Sequence, residues 1–361
     1  MTVEWLTRAE DLASVETPWR ELEDAVQTRT HVSTFDFLYP WYRHYAGDYG
    51  GQPLIGLAWR GRTLAGVAPL TVRQGTFGRV PITRVDFAPN DSIAGEFLIQ
   101  DDEPRVAASL LGSLTRRTQF DLVSLNGFDP ASGQLRALQD AAELHQLAPQ
   151  QEGHAYARVD LRSGYAAYRA ALPGDFRRKL AHRARKIDEA GGARLHGVLP
   201  GLKGDDAEDC LHRMIAITEA SYKLEGRPLA PHHRAFLAEL VHRLSAQGRL
   251  GLPILSIGGR DAAFILGVIE RGCFYDVTLS YGETFAKLGP GTHLMQATLE
   301  HLASAGIRTL ISHGAHDYKR VWSTEFVPQT RLLLFAPTLR AAAARFARFR
   351  LQPILRRAAA I

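Results

Sequence analysis

FYDVTLSYGETFAKLGPGTHLMQATLEHLASAGIRTL, residues 274–310, sets out three elements in a row. Phe274–Tyr281 reads as a strand, and KLGPGT (287–292) is a Gly-rich turn. A helix then runs from about Pro290 to Ala305, ahead of a second strand at Thr309–Ser312. Pro290 is pre-set for the first helical position. Gly289 and Gly291 let the backbone approach a ligand closely. The unpaired N–H groups and positive end of the helix then form an anion site. Its candidate residues are Lys287, Leu288, Gly289, Gly291, Thr292 and His293, with Lys287 or His293 adding charge. A purely structural Gly-Pro-Gly turn has the same sequence, so the turn alone leaves both readings open.

Working outward, the stretch LPILSIGGRDAAFILGVIERGCFYDVTLSY is a three-stranded meander, with hairpin turns at Gly258–Gly259 and Arg271–Gly272. Helical patterns precede it at Glu208–Tyr222 and His232–Gln247. Further upstream the strand AYARVDL from Ala155 leads into LPGDFRRKLAHRARKIDEAGG. That helix carries an apolar stripe of Phe176, Leu180, Ala184 and Ile187 and is basic elsewhere, which suits either solvent or phosphates and anionic lipid. The first half reads as helices at Ser14–Gln27 and Phe35–Tyr45, then strands at Pro53–Trp59, Thr63–Val72, Arg79–Phe87 and Glu96–Ile99. A helix at Glu103–Arg117 and a strand at Phe120–Leu125 follow. RQGTFGR (73–79) lies between two strand patterns and is read as a hairpin turn rather than a phosphate loop. Both halves thus repeat one plan of antiparallel strands, a helix and another strand.

ISHGAHDYKRVW (311–322) follows the last strand. Together with LPGDFRRKLAHRARKID, ASYKLEGRPLA and the LGPG turn, it resembles the bacterial two-domain GNAT acyltransferases often linked to cellulose or exopolysaccharide genes, which are akin to Fem-type peptidyltransferases. The resemblance spans roughly residues 30–335 and is strongest from Phe176 to Trp322. It implies an α/β (α+β) chain of two tandem GNAT-like domains with mixed, mostly antiparallel sheets. The expected boundaries are 1–150, 151–337 for an acyl-CoA-binding catalytic domain, and a C-terminal amphipathic helix in 338–361. It also implies acyl-CoA as co-substrate, with no permanent cofactor, and transfer to an amine or hydroxyl. Members commonly carry an Asp where this chain has Leu310, so that role must lie elsewhere here.

Attack of an amine on a thioester needs a proton acceptor. His316 suits that task, with His313 beside it and Asp317 or Asp276 as the orienting carboxylate. Backbone N–H groups of the strand carrying Phe274–Leu279 are the expected oxyanion donors. Tyr318 or Tyr281 is placed to return a proton to the thiolate, and Lys319 is a further donor-site candidate. Tyr222 and Tyr281 are candidate substrate contacts. Asn90 and Asp91, in DFAPNDSIAG, are read either as a turn or as acceptor-binding residues in a cleft between domains. The His-x-x-His-Asp spacing lacks a paired cysteine motif, so no metal is expected.

Composition narrows the setting. The chain has 361 residues with 45% hydrophobic and 22% charged, enough for a full core. No run reaches the ~20 apolar residues that cross a bilayer. The N-terminus reads as no signal peptide, and two cysteines make no disulfide framework, so a cytoplasmic location is expected. The net charge is +5, yet Arg340–Ile361 alone holds six arginines and no acid. At 100° per residue, Leu339, Ala342, Ala343, Phe346 and Phe349 share one arc of that tail. This suits an anchor on an anionic inner-membrane surface, or a helix docked on its own protein. Nucleic acid is not expected, because the body does not continue the patch. The leading reading is an acyl-CoA-dependent N-acyltransferase, peripheral at the inner membrane, acting on a sphingoid-type amine to give a ceramide-like lipid, as some relatives do. The alternatives are O- or N-acetylation of an exopolysaccharide or envelope sugar, and a non-catalytic scaffold. A Fem-type transferase using aminoacyl-tRNA is disfavoured, since no long heptad run is present.

Overall fold

The computed structural model describes residues 1–27, 29–47, 50–89, 96–100, 103–202, 205–224 and 226–352. Asn90 and Asp91 lie outside them. The chain divides into two compact units, Met1–His154 with Pro328 onward, and Ala155–Val327.

In the first unit, β1 (Thr2–Leu6), α1 (Glu16–Ala25) and α2 (Phe35–Tyr45) precede the meander β2 (Gln52–Arg60), β3 (Thr63–Phe77) and β4 (Val80–Phe87). The short β5 (Leu98–Ile99), α3 (Pro104–Arg117), β6 (Leu122–Phe128) and α4 (Gly133–Leu144) follow. The strand order is β1-β2-β3-β4-β6, and β4 and β6 are the parallel pair. Sequence periodicity explains why this sheet is covered on both faces. Leu54 and Ala58 of β2 join the core under α3 and α4, while the alternate residues Ile55 and Leu57 join the core with Trp19, Phe35 and Tyr42 of α1 and α2.

The second unit repeats the plan. It runs from within β7 (Ala148–Asp160) through α5 (Gly164–Ala171), α6 (Gly174–Glu189), β8 (Ala193–Val198), α7 (Ala207–Glu219) and α8 (Pro231–Ala246). Then come β9 (Leu250–Ile257), β10 (Arg260–Glu270), β11 (Cys273–Tyr281), α9 (Pro290–Ser304) and β12 (Thr309–Ser312). The strand order is β7-β12-β11-β10-β9-β8, parallel only at β11·β12. Each unit therefore holds a three-stranded antiparallel meander whose last strand crosses over through a helix to a parallel partner. The fold is mixed α/β with mostly antiparallel sheets, as the sequence implies. The boundary expected at 150/151 falls inside β7.

β13 (Glu325–Phe335) falls inside the expected 151–337 domain, but from Pro328 it lies in the first unit and pairs antiparallel with β6. α10 (Leu339–Phe346) follows, capped by Thr338, whose hydroxyl accepts from the Ala341 N–H. Ala341 and Ala344 pack on Ile82, Leu122, Leu333 and Phe335. Contact is so close that a Cβ on Gly78 would stand 2.9 Å from the Ala344 carbonyl oxygen. The expected apolar arc is thus not the buried one. Leu339 is 91% and Phe346 55% exposed, with Ala342 and Ala343 also turned outward. Phe349 alone of that arc packs inward, near the Phe77 and Phe335 rings. It sits in a π-helical turn, Ala347–Leu351, whose wider winding carries it off the regular 100° spacing.

β11 is held in place by one ring. Phe274 is fully buried, and Gly267 and Gly251 lie against it, so that a Cβ on Gly267 would come within 2.2 Å of the ring. Gly267→Ala is expected to destabilise the protein by about 1–3 kcal/mol through overpacking. Urea-midpoint measurements check this, and Phe274→Leu in the same chain should recover part of the loss.

Candidate active site

β11 and β12 share four residue pairs, Cys273↔Thr309 through Asp276↔Ser312. β12 then ends and the chain turns away at Gly314 (φ 74°), while β11 continues to Tyr281. Among the described residues, no strand pairs with Val277–Tyr281 on that edge. A cavity of about 680 Å³ occupies the gap, and Val277, Thr278 and Leu279 line it. Exposed edge backbone of this kind hydrogen-bonds an extended ligand as a further strand would.

At the fork lies a buried polar chain. Lys319, only 4% exposed, donates from Nζ to Ser312 Oγ at 2.8 Å and also to the His313 carbonyl oxygen. Ser312 Oγ in turn donates to Asp276 Oδ2 at 2.7 Å. The other carboxylate oxygen, Asp276 Oδ1, is buried with no hydrogen-bond partner among the described residues. Burial raises the Asp276 carboxyl above its ordinary value, opposed by the Ser312 hydrogen bond and the charges of Lys319 and Lys223. Burial lowers the Lys319 ammonium, opposed by Asp276.

The first unit supplies an internal comparison. There Asp86 of β4 pairs in register with Ser124 of β6, as Asp276 of β11 pairs with Ser312. Asp86 is also buried, but Arg73 and Arg84 grip it at 3.0 and 2.5 Å. That carboxylate is charge-neutralised and structural. Asp276 has no arginine, and one of its oxygens is left over. A buried, incompletely partnered carboxylate is costly, so Asp276 makes the second unit the candidate site.

The Gly-rich turn stands at the mouth. Gly289 is left-handed (φ 66°) and opens α9, and Gly289, Pro290, Gly291 and Thr292 line the cavity. Arg183 of α6 lines it as well and donates from Nη1 to Thr292 Oγ1 at 2.9 Å, from 109 residues away in sequence. Sequence reasoning missed this cation. Lys287 is exposed and outside the lining, Leu288 packs on the core, and His293 is half-buried, where burial favours its neutral form.

The remaining candidates separate. His313, His316, Tyr318, Tyr222, Tyr281 and Lys319 line the cavity. His316 is exposed at the rim, its ring stacked on Tyr318 with centroids 5.9 Å apart. Asp317 does not line the cavity and points to Arg320 at 3.0 Å, so it does not orient His316. Partial burial and the Asp276 charge hold the Tyr318 phenol above its ordinary value. Leu310 is a fully buried core residue, and the nearest carboxylate on the adjoining strand is Asp276. Among the described residues, no group of three or more His, Cys, Asp or Glu is placed to hold a metal ion.

Residues 174–320 match the family described as acetyltransferase (GNAT) domain. No curated protein sequence matches the chain. Among solved structures it is similar to FemX, with TM-score 0.58 and 10% identity over 91% of this chain and 97% of the other. It is also similar to L-PGS from Bacillus licheniformis, with TM-score 0.56 and 10% identity over 95% and 97%. A third is the C-terminal domain of a putative lysylphosphatidylglycerol synthetase from Agrobacterium fabrum, with TM-score 0.55 and 10% identity over 92% and 94%. These likenesses concern the fold of the whole chain. The segment that matches the acetyltransferase (GNAT) domain family, residues 174–320, supplies nearly all of the cavity lining.

Proposed function

We propose that the protein is an N-acyltransferase that moves an acyl group from acyl-CoA to an amine in the β11–β12 fork. The observation that carries this reading is the orphaned Asp276 Oδ1 at the floor of a slot whose mouth is a helix N-terminus and an arginine. The diphosphate of the thioester rests on the first turn of α9 beside Arg183, and the pantetheine arm runs along the free edge of β11. Asp276, kept basic by burial, takes the proton of the attacking amine. The amine nitrogen bonds to the thioester carbon, and backbone N–H groups of the β11 edge hold the developing oxyanion. The carbon–sulfur bond then breaks, and the Tyr318 phenol returns a proton to the thiolate. Lys319 and Ser312 hold Asp276 in its working rotamer and temper its charge. On this reading Asp276, rather than His316, is the base.

The acceptor we propose is a membrane-resident long-chain amine of sphingoid type, giving a ceramide-like lipid. The protein would then sit in the cytoplasm, against the anionic inner-membrane surface. What supports this is α10, which is anchored by its alanine face and turns Leu339 and Phe346 outward among exposed Arg340 and Arg345. An outward apolar-and-basic helix face fits anionic lipid. Among the described residues no helix is long and apolar enough to cross a membrane.

Free-thiol release from an acyl-CoA should appear with long-chain amines. Turnover only on sugars would assign the acceptor to an envelope precursor, and silence with every acceptor would sink the catalytic reading. Asp276→Asn should lower kcat by ~10²–10⁴-fold, the range for a lost general base, with His316→Ala milder. In the wild type the rate should climb as pH rises through the raised Asp276 value, because the base works only when ionised. The Asn variant should lack that limb. Leu339→Glu with Phe346→Glu should abolish sedimentation with anionic vesicles while shifting stability by no more than about 0.5 kcal/mol, since both side chains are exposed.

A further inference from the structure

The face of α6 that flanks Arg183 is more basic than a diphosphate requires. Lys179, His182, Arg183 and Lys186 fall at spacings i, i+3, i+4 and i+7 and so share one helical face. Arg183 is half-buried at the cavity mouth, and the other three are exposed. The adjoining face, which Arg183 borders, holds α6 down through Phe176, Leu180 and Ile187. Of the acids on the helix, Asp175 pairs with Arg178, and the charge of Asp188 acts on His293. Glu189 lies on the last turn. Among the described residues, no carboxylate lies within ion-pair distance of Lys179, Arg183 or Lys186. Elsewhere in the unit, Arg213, Arg234 and Arg249 are all paired.

We infer that this face is a second phosphate subsite, which takes the 3′-phosphate of the donor's nucleotide. The inference rests on the acyl-CoA reading above. Lys179 and Lys186 stand one helical turn, ~5.4 Å of rise, to either side of Arg183. With Arg183 and the α9 N-terminus gripping the diphosphate, the two lysines are exposed point charges on the same helical face beside it. Their long stems let either reach a phosphate that lies beside the diphosphate rather than in line with it. The subsite gives the enzyme a means of selecting an intact CoA thioester over the same acyl group on a carrier that lacks the 3′-phosphate.

Calorimetric titration of the full chain with CoA and with 3′-dephospho-CoA tests this without knowledge of the acceptor. The wild type should bind CoA on the order of tenfold more tightly, as a charge-assisted contact at a solvent-facing site allows, with the preference fading as salt is raised. Lys179→Ala with Lys186→Ala should remove the preference and leave dephospho-CoA binding unchanged. Arg183→Ala should weaken both ligands. Equal affinities in the wild type, or a preference that survives in the double variant, would overturn the subsite while leaving the donor reading intact. Failure of the wild type to bind either ligand would overturn the donor reading and the subsite together. The lysines are exposed, so thermal melting should show that the double variant folds as the wild type does.

Discussion

Two parallel strands that hydrogen-bond for four residues and then separate govern the chemistry of this molecule. The pairing of β11 with β12 ends at Asp276↔Ser312, and past that point β11 presents one edge of its backbone to a cavity. Backbone N–H and C=O groups must find partners, so an extended polar ligand is the natural occupant. The paired part of the fork is packed by apolar side chains. Phe274 is wedged between Gly251 and Gly267 on one side of the split, and Leu310 is buried at the same level of β12. The glycines are needed because a ring fills the space where their side chains would be.

An aspartate–serine register pair occurs twice in the chain, and the partners of the aspartate differ between the copies. At the corresponding register position both units bury an aspartate beside a serine. In the first, two arginines neutralise the carboxylate and the position is part of the scaffold. In the second, Lys319 reaches the serine instead of the carboxylate, so Asp276 keeps an oxygen without a donor. Two arginines on the carboxylate in one unit are thus replaced by one lysine on the neighbouring serine in the other.

The C-terminal helix illustrates a different economy. Two alanines and a glycine give it a close seat against the first unit, where large side chains would hold it away. The larger apolar residues are thereby free to face outward beside arginines, an arrangement that stable folding alone does not require.

Most of the secondary structure was legible from local pattern, because the short apolar runs of β2–β4 and β9–β11, bounded by turn residues, and the 3.6-residue spacing of apolar positions in the helices follow directly from which faces meet a core. The strand–Gly-Pro-Gly–helix order was legible too, since Gly289 must be left-handed and Pro290 must open a helix. Short or weakly apolar elements such as β1, α4 and β8 were not, as they take their stability from partners remote in sequence. The same holds for the site. Asp276, Ser312 and Lys319 could be named one by one, but only pairing of β11 with β12 makes them a chain of hydrogen bonds. Arg183 gave no local signal among five neighbouring cations and a histidine. It acquires its role where α6 packs beside the turn that opens α9. Sequence determined which residues can bear charge and which must turn; tertiary structure decided which charges go uncompensated, because compensation depends on distances of a few ångströms between segments that local periodicity does not relate.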